Sequence, residues 1–86
     1  MLFLAQISLT DPVAARPHLA AEMQHLQELS RTGVLRSFLL RADGRGAFLI
    51  LQAEDEAQAG REVSALPLIT SGVASHEVIP VTEPPL

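Results

Sequence analysis

Hydrophobic positions crowd residues 34–53, VLRSFLLRADGRGAFLILQA, and the rest of the chain is organised around them. The turn residues Asp43-Gly44-Arg45-Gly46 split this stretch into two apolar arms. Glycine supplies the positive φ that tight hairpin turns require, so the pattern predicts two antiparallel strands. In the second arm Ala47, Leu49, Leu51 and Ala53 point one way and Phe48 and Ile50 the other, with only Gln52 polar. A strand with one wet face alternates apolar and polar residues. This one does not, so both faces of the hairpin must be covered. A short chain covers one face with its own helices and needs a second chain for the other.

The same patterning fixes the remaining elements. Residues 2–9 predict a strand with Phe3, Ala5, Ile7 and Leu9 on one face and Leu2, Leu4, Gln6 and Ser8 on the other. Thr10-Asp11-Pro12 supplies an N-cap and a proline at the first helical position. Helix then runs to about Thr32. Pro17 interrupts it, which favours a short turn over 12–15 and a fresh start at Pro17. From there Leu19, Met23, Leu26 and Leu29 form an apolar stripe, and Gly33 ends the helix as a left-handed cap. Residues 54–65 predict a second helix, opened by Glu54, Asp55 and Glu56. Its packing face is small: Ala57, Gly60 or Arg61, Ser64 and Ala65 beside Val63. Leu66-Pro67-Leu68 stops it, 69–72 connect, and 73–81 form a last strand whose Pro80 suits an edge.

The order strand, helix, strand, strand, helix, strand is an α+β arrangement. It predicts a ferredoxin-like βαββαβ fold, a four-stranded antiparallel sheet with two helices on one face. The apolar second face adds that two chains lay their sheets together as a dimeric α/β barrel. Residues 1–82 form one domain and 83–86 an extended tail.

Composition narrows the partners. The 86 residues suffice for one modest core, and 48% hydrophobic content is high for that size. It fits a homodimer, or a higher oligomer. The net charge of −4, with six arginines scattered along the chain and no lysine, argues against nucleic acid. No cysteine means no disulfide, thiol catalysis or thiolate metal site. MLFLAQISL lacks a basic leader region and is too short to span a bilayer, so no membrane association and a cytoplasmic location are expected.

Several side chains carry candidate chemistry. His18, Glu22 and His25 stand at i, i+4 and i+7 on the first helix, where a carboxylate can orient an imidazole acting as a general base. The plain alternative is a solvated helix face. One helix offering two histidines and one acid makes a poor metal site, and none is expected. Arg36, expected on the same face as Phe38 and Leu40, has the fork geometry that clamps a carboxylate; otherwise it pairs with Glu22 or Glu77. His76 on the last strand and Gln6 on the first are candidate substrate-binding groups, or simply tolerated polar residues. The DGRG turn joins two strands and opens no helix, so it is no phosphate loop.

RTGVLRSFLLRADGRGAFLILQAEDEAQAGREVSALPL, with the opening MLF, resembles muconolactone isomerase and its relatives in the dimeric α/β barrel superfamily. Gly33, Arg36, the hairpin spacing, the Leu66-Pro67-Leu68 stop and the acidic Glu22 carry the likeness. It implies a cofactor-free isomerase of aromatic-compound catabolism. A small organic acid or lactone would lie between sheet and helices, its carboxylate held by Arg36. His18 or Glu22 would move the proton. Where that family has polar and aromatic groups on the hairpin, this chain has Leu35, Ser37, Leu39 and Phe48; Leu4 and Gln6 replace a more basic first strand. The chain also resembles the YCII-like family through His18-Leu19, Gly33 with Leu35, and the AEDEA stretch. Leu66 replaces the acid of that family's histidine–aspartate pair. This second likeness implies a non-catalytic small-molecule-binding or interaction protein on the same barrel. A small oxygen-dependent monooxygenase of the superfamily is disfavoured, because no Trp or Tyr is present to hold a flat polycyclic substrate.

Overall fold

Strand β1 (Leu2–Leu9) lies inside a four-stranded antiparallel sheet in a computed structural model that describes residues 1–86. Around it run β2 (Leu35–Leu40), β3 (Gly46–Gln52) and β4 (Ala74–Val81), in the order β2-β3-β1-β4. The first crossover is α1 (Pro12–Ala15), a 3-10 turn (Arg16–His18) and α2 (Leu19–Arg31). The second is α3 (Glu56–Ser64) followed by α4 (Pro67–Thr70). This is the ferredoxin-like βαββαβ order, with β4 on an edge where Pro80 needs no second ladder partner. No helix is long and apolar enough to cross a membrane.

Local chemistry sets the helix limits. Asp11 accepts the Ala14 N–H at 3.0 Å, and Pro12 fills the first position of α1. Pro17 tightens the next turn to 3-10, and α2 starts two residues later than the proline itself. At the far end Gly33 adopts φ 86° after the Thr32 cap. The second helix is shorter than its acidic opening suggests. Asp55 is the N-cap, accepting the Gln58 N–H at 2.8 Å, and Gln58 reaches back to the Glu54 N–H at 2.7 Å. Its packing face also differs from the small-residue face expected: Ala59 and Val63 are the buried positions. Residues 67–70 are helical rather than a plain connection. Leu66 before the proline takes an extended conformation (ψ 137°), so Pro67 opens a new short helix.

The main core lies between the sheet and these helices, and a smaller one gathers Ala15, Leu68 and Val73. Phe3, Ala5 and Ile7 of β1 meet Leu49 and Leu51 of β3 beneath Leu26, Leu29, Val63 and Leu66. Gly46 is required for the sheet to close at its turn end. A Cβ there would sit 2.1 Å from the Ile7 carbonyl oxygen, a backbone atom that cannot step aside. Gly46→Ala is expected to cost about 1–3 kcal/mol in urea denaturation; an unchanged midpoint would mean that β1 and β3 separate there freely.

No helix covers the opposite face. The strand registers put Ser37, Ile50, Leu4 and Ile79 in one row across it, and Leu39, Phe48, Gln6 and Glu77 in the next. Leu4, Phe48 and Ile50 are half-buried by their neighbours alone, and Leu39 and Ile79 are exposed.

Candidate functional site

A cavity of about 530 Å³ opens between the helix side of the sheet and the first crossover. Its closed end is built from Ile7, Leu49, Ala15, Leu26 and Leu68, all buried. Apolar side chains also ring its mouth: Val13, Leu19, Met23 and Leu40 line it while remaining open to solvent. The stripe expected on α2 is therefore rotated. Leu26 and Leu29 are in the core, but Leu19 and Met23 are 45% and 43% exposed, and Glu22 is the residue buried beside Leu26.

Glu22 is 6% exposed and is the only buried charged side chain in the chain. Its position follows from α4. Pro67 opens that helix, which leaves the Leu68 N–H without an intrahelical acceptor. Glu22 Oε1 accepts it at 3.0 Å across 46 residues of sequence. No other hydrogen bond in the chain reaches the carboxyl group, and Glu22 is on the cavity lining. Burial pushes the Glu22 carboxyl above its ordinary value, although the Leu68 N–H and the charge of His25 pull the other way. Burial thus favours the protonated form of this carboxyl relative to a solvated glutamate.

Two arginines join Glu22 on the lining, Arg16 from the 3-10 turn and Arg41 from the end of β2. Arg41 pairs with Asp43 at 2.5 Å. That contact and the Arg45 N–H on Asp43 at 3.0 Å hold the turn. The Arg45 N–H, with Arg41 after it, keeps the Asp43 carboxyl below its usual range. Neither Arg16 nor Arg41 stood out in sequence. The only signals were an arginine before a helix-restarting proline and an arginine flanking the turn.

The other expected site residues lie elsewhere. His18 is half-buried at the start of α2, outside the cavity lining, and it is His25 whose charge acts on Glu22. Arg36 is not on the face of Phe38 and Leu40. A bulge between Leu35 and Ser37 inserts one residue against β3, so Phe38 and Leu40 regain the helix side with Leu35. Arg36 instead donates to Gln52 Oε1 at 3.3 Å, on the uncovered side of the sheet. Gln6 belongs to that same uncovered face, between Phe48 and Glu77. His76 is exposed on β4 opposite Ile7 and does not line the cavity. His18, Glu22 and Arg36 therefore do not converge within one chain. No group of three His, Asp or Glu side chains is placed to hold a metal ion.

No family model matches the chain, and no curated protein sequence does. Solved structures do. The 5-chloro-2-hydroxyhydroquinone dehydrochlorinase of Burkholderia phenoliruptrix AC1100, solved with 2,5-dihydroxybenzoquinone, superposes with a TM-score of 0.81. It is 22% identical and covers 98% of this chain and 96% of its own. Muconolactone isomerase superposes with a TM-score of 0.80 at 22% identity, over 99% of this chain and 92% of its own. Nearly every residue of the chain thus has a counterpart in both, and the chain has the muconolactone isomerase-like, ferredoxin-like fold.

Proposed function

We propose that the cavity binds a small cyclic organic acid or lactone and that Glu22 carries a proton between two carbons of it, without a cofactor. The observation that supports this most is a buried carboxyl group, with one oxygen tied to Leu68 and its acidity weakened by burial, facing a mainly apolar cavity. In such a reaction Glu22 Oε2 takes the proton from a carbon next to a carbonyl. The electron pair spreads through the unsaturated system, and the same oxygen returns the proton at the far end. No proton or electron is gained overall. The apolar walls keep water from quenching the intermediate. His18, Arg36, Gln6 and His76 have no part in this step as proposed.

The likeness to muconolactone isomerase and to a dehydrochlorinase with a bound quinone supports a ring compound of aromatic catabolism as the substrate class. The uncovered rows of Leu4, Ile50, Leu39, Phe48 and Ile79 support pairing of two chains through their sheets.

Turnover of muconolactone, followed across pH, tests the proposal. The rate is expected to rise through a single ionisation above the ordinary carboxylate range and then level off, because the ionised form of Glu22 is the base. No turnover at any pH would leave a binding protein on the same fold.

A further inference from the structure

We infer that Arg16 selects ligands bearing one anionic group, a carboxylate or a phenolate, at the mouth of the cavity. This rests on the cavity being the ligand site and adds to it the residue that sets ligand charge.

Three charged side chains line the cavity, and two already have partners. Glu22 accepts from Leu68, and Arg41 is paired with Asp43. Arg16 is the remaining one. It forms no ion pair, since the two in the chain are Arg31 with Glu28 and Arg41 with Asp43. A guanidinium offers five N–H donors in a fixed fork and stays charged, so a planar oxyanion is the partner it fits best. Its backbone is held in the 3-10 turn and followed by Pro17, which limits the conformations the side chain starts from. Arg16 is exposed at the mouth, with Val13 and Leu19 beside it on the lining, so a ligand reaches it directly from solvent.

The spacing also bears on ligand shape. Arg16 and Glu22 are six residues apart on nearly continuous helix, roughly 9–10 Å along its axis. A single ring with one short acidic arm can meet the arginine at one end and present a carbon to the carboxyl at the other.

Calorimetric titration of benzoate and of benzamide, its neutral counterpart, into the wild type, Arg16→Gln and Arg16→Lys tests this at neutral pH. The wild type is expected to bind benzoate about tenfold or more tighter than benzamide, as a charge-assisted contact implies. Arg16→Gln should erase that preference while leaving benzamide affinity unchanged, which also shows that the variant is folded. Arg16→Lys should restore part of it. If both probes bind the wild type equally, or Arg16→Gln keeps the preference, Arg16 is not the selector although the cavity stands. If neither probe binds the wild type at millimolar concentration, the cavity reading fails and this inference with it.

Discussion

Glu22→Gln is expected to lower turnover of muconolactone by about a hundredfold or more, the usual scale for loss of a general base. The amide keeps an oxygen for the Leu68 N–H, so the contact between α2 and α4 should survive. The same variant makes a second, independent expectation about stability. Burial raises the Glu22 pKa above 4.5 in the folded chain, so the folded state holds this proton more tightly than the unfolded state. Its contribution to stability is present in full below 4.5 and is lost as pH climbs through the raised folded value. Glutamine does not titrate. The melting temperature of Glu22→Gln relative to wild type should therefore rise with pH across that window. Melts from roughly pH 4 to pH 8 read this directly. A variant with the wild-type rate removes Glu22 from the reaction; a constant difference in melting temperature removes the raised pKa.

If two chains pair through their sheets, Phe48→Asp and Ile50→Asp are expected to leave the chain monomeric, or to unfold it. Both side chains lie on the uncovered face, Ile50 between Ser37 and Leu4 and Phe48 between Leu39 and Gln6. If two chains share that face, a carboxylate enters a dry contact at a cost of several kcal/mol. Leu40→Asp is the control, because Leu40 is also apolar and 73% exposed but stands on the helix side at the cavity mouth. Light scattering after size exclusion should give the wild-type mass for Leu40→Asp and a halved or smaller mass for the other two. Wild-type mass for all three, with intact circular dichroism, would rule out pairing through the sheet.

The elements were readable from periodicity because each carries its own local signal. The 2–9 strand keeps Phe3, Ala5, Ile7 and Leu9 on one face, Asp11-Pro12 caps, Gly33 ends α2, and glycines mark the hairpin turn. The site was harder, for three physical reasons. A β-bulge leaves no mark in an alternation pattern, so alternation alone puts Arg36 on the wrong side of β2. An apolar stripe on a helix does not say which flank the core takes; here the core takes Leu26 and Leu29, and Glu22 turns inward with them. The partner that makes this burial tolerable is a backbone N–H, at Leu68, and backbone donors are invisible in residue identities. Spacing alone places Glu22 in a helical line with His18 and His25, while its burial depends on the packing of α2 against α4. Arg16 and Arg41 came only with the tertiary fold, which brings a 3-10 turn and a hairpin end to one opening.

A methyl NMR titration of the chain with muconolactone locates the ligand directly. Shifts are expected at Met23, Leu26 and Leu49, which line the cavity on the helix side of the sheet. Shifts confined to Leu4 and Ile50 on the opposite face, with the cavity methyls unmoved, would contradict the cavity as the ligand site.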